Sequence, residues 1–99
     1  MTDADLVKIA ADIRDGIIGD GPSAWMCAAI SWPLAALLRF HGVTCDCVET
    51  DLGHCKHIWI RLADGRALDA TADQFNHFSD CDFPEVYLGM PKSIHGAAA

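Results

Sequence analysis

The stretch His57-Ile58-Trp59-Ile60-Arg61-Leu62-Ala63-Asp64-Gly65-Arg66-Ala67-Leu68-Asp69 decides how this chain folds. Alternating apolar and polar residues predict a strand over Cys55 to Leu62 and another over Ala67 to Thr71, with Asp-Gly turn chemistry between them. The length of the loop sets the register. A loop of Asp64-Gly65 alone puts Asp69 opposite Ile60, on the face away from His57. A loop of Ala63-Asp64-Gly65, with Gly65 left-handed in a bulge, puts Asp69 opposite Trp59. Asp69 is then diagonal to His57 on one face, about 7–8 Å away and within side-chain reach. A joint role for the imidazole and the carboxylate therefore predicts the three-residue loop.

Outward from this hairpin, Val43 to Thr50 reads as a preceding strand and Glu85 to Leu88 as a fourth. Leu6, Ile9, Ala10, Ile13 and Ile17 recur at helical spacing and predict an amphipathic helix over residues 3–18, broken by Gly19-Asp20-Gly21-Pro22. Ser23 is placed to cap a second helix, with Met26, Ile30, Leu34, Leu37 and Leu38 on one face and Gly42 after its end. Pro33 either kinks that helix or sits in the first turn of a new one. Two helices and then a meander of strands make an α+β domain, with N-terminal helices packed on a small antiparallel sheet. A single domain over residues 1–99 is expected, with its core at about residues 23–90 and a frayed tail at 91–99.

The chain has 99 residues, of which 52% are hydrophobic, and a formal charge of -7. That apolar fraction fits a compact globular chain and is compatible with a homodimer. The acidic balance argues against nucleic acid or an anionic membrane as partner. Met1-Thr2-Asp3-Ala4-Asp5 is acidic where a signal peptide is basic, and no run approaches a membrane span, so a cytoplasmic location is expected. The five cysteines, Cys27, Cys45, Cys47, Cys55 and Cys81, then read as reduced thiols rather than a disulfide framework.

Cys27 stands at the front of the second helix, where the positive end of the dipole favours thiolate. A nearby imidazole favours it further and serves as a general acid, and a carboxylate orients that imidazole. Cys27, His57 and Asp69 are the candidate catalytic residues. The Cys27 amide is the candidate oxyanion donor. Asp73, Gln74 and His77 follow close by as polar loop residues. Trp25, Trp32 and Trp59 read as core, two of them flanking the proposed site. A weaker arrangement is a zinc site formed by Cys45 and Cys47 on one strand with Cys55 and His57 on the next, His54 being a spare. No metal or other cofactor is expected.

Cys27 through Leu37-Leu38-Arg39-Phe40-His41-Gly42-Val43 resembles the transglutaminase-like signature: a cysteine, an apolar helix, Leu-Leu-Arg, two residues, glycine and a β-branched residue. His57-Ile58-Trp59-Ile60 is similar to the His-x-Trp-Val strand of that family, and Leu68-Asp69-Ala70-Thr71 to its Leu-Asp-Pro-Thr, with Ala70 where proline is usual. Asp69 to Phe75 resembles small bacterial and phage-type members. The resemblance covers roughly residues 23–75. It implies a papain-like core, Cys27 as nucleophile, His57 as acid and base, and Asp69 as the orienting acid. It also implies amide hydrolysis or acyl transfer through a thioester, without a metal, on a peptide, protein or small amide. The competing expectation is a catalytically silent transglutaminase-like binding module or dimerising interaction protein.

Overall fold

A computed structural model describes residues 1–76 and 82–97. His77 and Cys81 lie outside the described residues. Helix α1 spans Asp3–Ile18 and α2 spans Cys27–Phe40. Strands β1 (Cys45–Asp51), β2 (Lys56–Leu62), β3 (Ala67–Asp69) and β4 (Tyr87–Gly89) form one antiparallel sheet in chain order. This is a small α+β domain. Among the described residues no helix is long and apolar enough to cross a membrane.

Helix α1 begins where Thr2 and Asp5 cap each other, the Thr2 hydroxyl accepting from the Asp5 amide and the Asp5 carboxylate from the Thr2 amide. Its buried stripe is Leu6, Ala10 and Arg14. The stripe is turned from the expected one, and Ile17 is 40% exposed. Arg14 causes the turn. Its guanidinium forks onto both Asp73 carboxylate oxygens at 2.8 and 2.9 Å, and donates to the Ala70 and Glu85 carbonyls. Ser23 does not cap α2; its hydroxyl donates to Asp73 at 2.7 Å instead. One buried cation thus ties α1 to the segment that follows β3 and to the one that precedes β4.

Replacing Arg14 with methionine leaves an acid and two carbonyls without their donor, at a cost of about 3 kcal/mol. The melting temperature is expected to fall by about 15 °C for a domain of this length. Arg14→Lys recovers only part, because an ammonium lacks the planar fork. A thermal melt unchanged in Arg14→Met would contradict this role.

Helix α2 runs through Pro33 as one helix. Pro33 and Ala29 lie on the exposed side, so the carbonyl that proline leaves unbonded faces water. The opposite side buries Ile30, Leu34 and Leu38 against Ile60, Leu62 and Leu68 of the sheet. Each such side chain contributes about 1.5–3 kcal/mol when fully buried. Gly42, at φ 82°, turns the chain from α2 into β1.

The β2–β3 hairpin has the three-residue loop. Ile60 pairs with Leu68 and Arg61 with Ala67, the Leu62 amide bonds the Arg66 carbonyl, and Gly65 has φ 89°. Continuing the register sets Asp69 opposite Trp59. The sheet therefore has an aliphatic face against α2 and a second face bearing His57, Trp59 and Asp69. Phe75, Phe83 and Ile94 cover that second face.

The tail is the main correction. Ser93–His95 forms a turn of 3₁₀ helix that buries Ile94 and His95, whereas fraying was expected. The apolar second face of the sheet has to be covered, and this segment covers part of it.

Candidate active site

Two elements bring Cys27 to His57. The Leu62 amide points towards β3, and alternate residues on a strand point their backbone groups the same way, so Ile58 and Lys56 also point there. Strand β3 ends at Asp69, however, leaving that edge of β2 to the start of α2. The Ser31 hydroxyl donates to the Ile58 carbonyl at 3.1 Å, and Cys27 Sγ stands 4.0 Å from the Lys56 carbonyl oxygen. Cys27 therefore approaches the sheet in its own plane, at the residue before the one whose side chain carries the imidazole. Met26, before the helix, provides no side-chain cap, so the first-turn amides are not taken by one.

His57 and Asp69 are both fully buried. His57 Nε2 lies 2.6 Å from Asp69 Oδ2. Asp69 Oδ1 accepts from the Thr71 amide at 3.0 Å and from its hydroxyl at 3.4 Å. Burial disfavours the carboxylate, but hydrogen bonds from the His57 and His95 rings outweigh it and hold Asp69 down to about 2. An ionised Asp69 requires His57 Nε2 to carry hydrogen.

His57 Nδ1 is buried and has no hydrogen-bond partner among the described residues. It is the nitrogen left to face Cys27. Burial works against a charged ring, yet Asp69 and then Cys27 push His57 up to about 9. The same imidazole, helped by the Ile58 and Ala28 amides, draws the Cys27 thiol down against its own burial. Sulfur and ring are neighbours short of hydrogen-bond geometry, a looseness common in substrate-free sites.

A pocket of about 280 Å³ opens beside Cys27, walled by Trp25, Phe75, Cys55 and Gln74. Trp25 is 81% exposed and has φ 66°. That conformation is strained for a bulky residue, and such strain gathers at working sites. Its amide is held by Gln74 Oε1 at 3.3 Å, while Gln74 Nε2 donates to the Thr71 carbonyl. Of the three tryptophans expected in the core, only Trp59 is there; Trp25 and Trp32 are exposed.

His95 was not expected at the site. Its Nε2 lies 2.7 Å from the same Asp69 Oδ2 that His57 contacts. The Lys92 amide donates to His95 Nδ1 at 2.9 Å, so that nitrogen holds a lone pair and Nε2 carries the hydrogen. The His95 ring stacks on Tyr87 and meets the edge of Trp59.

The zinc arrangement does not form among the described residues. Cys45 and Cys47 stand opposite Leu62 and Ile60, on the α2 face, with sulfurs directed to the Ala35 and Ser31 carbonyls. His57 lies on the other face. The group His57, Asp69 and His95 is compact enough to bring a metal to mind. Its chemistry does not suit one. A metal-bound histidine donates its other N–H outward, whereas His95 Nδ1 accepts a hydrogen there. Gaps of 2.6 and 2.7 Å are hydrogen bonds, too short for ligands that share one ion.

No protein-family model, curated protein or solved structure matches the chain.

Proposed function

We propose that this chain is a cysteine-dependent amide hydrolase or acyl-transfer enzyme with a transglutaminase-like, papain-like arrangement. The observation that carries this reading is the buried His57–Asp69 contact, with Nδ1 of the same ring left for Cys27 at an uncapped helix start. In the proposed cycle, the Cys27 thiolate attacks a carboxamide or peptide carbonyl and forms the carbon–sulfur bond. The oxyanion develops towards the Cys27 amide. Protonated His57 gives its proton to the leaving amine as the carbon–nitrogen bond breaks, leaving a thioester. Water or a second amine, deprotonated by His57, then attacks the thioester and releases the thiolate. Asp69 holds the ring in the tautomer each step needs.

A second reading, a silent binding module, is favoured by Trp32 and Phe40, exposed at 55% and 84% on the outer side of α2. Labelling with a panel of thiol-directed acyl probes separates the two. The enzyme reading predicts selective acylation of Cys27, absent in Cys27→Ala and reversed by water or amine. Equal and slow reaction at all thiols would leave only the module.

A further inference from the structure

A line of cysteine, histidine and carboxylate needs one imidazole on the acid, but Asp69 Oδ2 receives two, from His57 and His95 at 2.6 and 2.7 Å. The second ring is fully enclosed and lies outside the pocket beside Cys27, so it is not placed to touch substrate. It is also set with care: the Lys92 amide fixes its tautomer, Tyr87 stacks on it, and Trp59 meets it edge-on.

We propose that His95 is a positioning residue, which acts on the Cys27–His57 pair through Asp69 by donating its Nε2–H to the oxygen that His57 shares. This rests on the catalytic reading above. When His57 passes its proton to a leaving amine, Asp69 remains as a buried anion. Its donors are then the Nε2–H of the neutral His57 ring, His95 Nε2–H and the Thr71 amide. A buried anion with one charge-assisted donor fewer is less stable. Without His95 the His57 proton is therefore harder to release, and His57 is a poorer general acid. The titratable groups facing His95 among the described residues are Asp69 on β3, His57 on β2 and Tyr87 on β4, while Lys92 contributes its backbone amide.

The test is an NMR titration of the histidine ring nitrogens in the full chain, comparing wild type with His95→Phe and His95→Gln. His95→Phe keeps the aromatic stack but loses the donor, and the His57 midpoint is expected to rise by about one pH unit, a tenfold gain in proton affinity. His95→Gln restores an N–H and brings the midpoint back towards wild type. A purely structural residue would lower the melting temperature in both variants without moving the midpoint, and that result overturns the proposal. So does a wild-type His95 whose ring hydrogen sits on Nδ1 rather than Nε2, read from the nitrogen shifts of the same spectra, a measurement independent of whether any variant folds. Acyl labelling of Cys27 is scored separately. A shifted midpoint without labelling would sink the catalytic reading and leave the His95–Asp69–His57 coupling standing.

Discussion

Replacing Asp69 with asparagine is expected to remove about 3–5 kcal/mol of folding stability, although the two side chains have nearly the same shape. Both carboxylate oxygens accept hydrogen bonds, Oδ2 from two imidazoles and Oδ1 from Thr71. Asparagine offers only one acceptor oxygen. In one orientation its amide group meets both imidazole N–H groups; in the other it meets the Thr71 amide. Either way donors oppose donors in a site closed to water, and each lost partner carries a desolvation cost. Urea unfolding reads this as a lower midpoint at an unchanged slope. A midpoint within error of wild type would show that the site has other partners.

The same substitution changes the pH dependence of stability. Asp69 is held down to about 2, below its unfolded value, so its contribution is present above about pH 4 and lost as pH falls towards 2. His57 is pushed up to about 9, above its unfolded value, so its contribution is present below about pH 6.5 and lost as pH rises towards 9. Wild-type stability should therefore form a plateau between about pH 4 and 6.5, falling on both sides. Asp69→Asn should flatten both flanks, because it removes the group behind the acid flank and the leading support of the alkaline one.

The parts of this architecture that local chemistry dictates are legible in the sequence. Asp64-Gly65 can be weighed as a two- or a three-residue loop, and the wish to put His57 and Asp69 on one face selects the longer, which the pairing of Ile60 with Leu68 bears out. Helix α1 lies at residues 3–18 because a capping box and an apolar repeat agree there. Partners chosen by distant segments are less visible. Arg14 looks like a solvent-facing charge until Asp73, far along the chain, is brought against it. Its place four residues after Ala10 and eight after Leu6 is the one local hint that it lies on the buried stripe. His95 is harder still. Pro91-Lys92-Ser93 ahead of it, and Gly96 with three alanines after it, have the composition of a loose end. Only the uncovered face beneath Trp59 and Tyr87 gives that segment a reason to fold. Trp25 and Trp32 fail in the opposite sense: helical spacing beside apolar neighbours suggests burial, but α2 spends its buried side on Ile30, Leu34 and Leu38.

Replacing His57 with glutamine is expected to slow alkylation of Cys27 by iodoacetamide at pH 7, and to slow the proposed acyl transfer far more, by about a hundredfold or beyond. The imidazole is the largest influence lowering the Cys27 thiol; without it the Ile58 and Ala28 amides remain, but no countercharge does. An ordinary thiol is only a few per cent ionised at pH 7, so the thiolate population falls when the imidazole is removed. Each remaining thiolate is the stronger nucleophile, because reactivity rises with basicity at a Brønsted slope of about 0.4–0.5, and the net loss in alkylation is correspondingly smaller. Acyl transfer additionally needs a proton delivered to the leaving group, a role worth about a hundredfold to ten-thousandfold. The difference between the two losses measures what His57 does beyond ionising sulfur. Mass spectrometry of the alkylated peptides also supplies an internal reference, since burial pushes the Cys45 and Cys47 thiols up. In the wild type Cys27 should react first, with a rate already level with pH below the range of free thiols; in His57→Gln that rate should climb through that range. Were Cys27 to show the climbing profile in the wild type as well, the sulfur would be an ordinary thiol at a helix start, and His57 and Asp69 would be a buried pair with no nucleophile to serve.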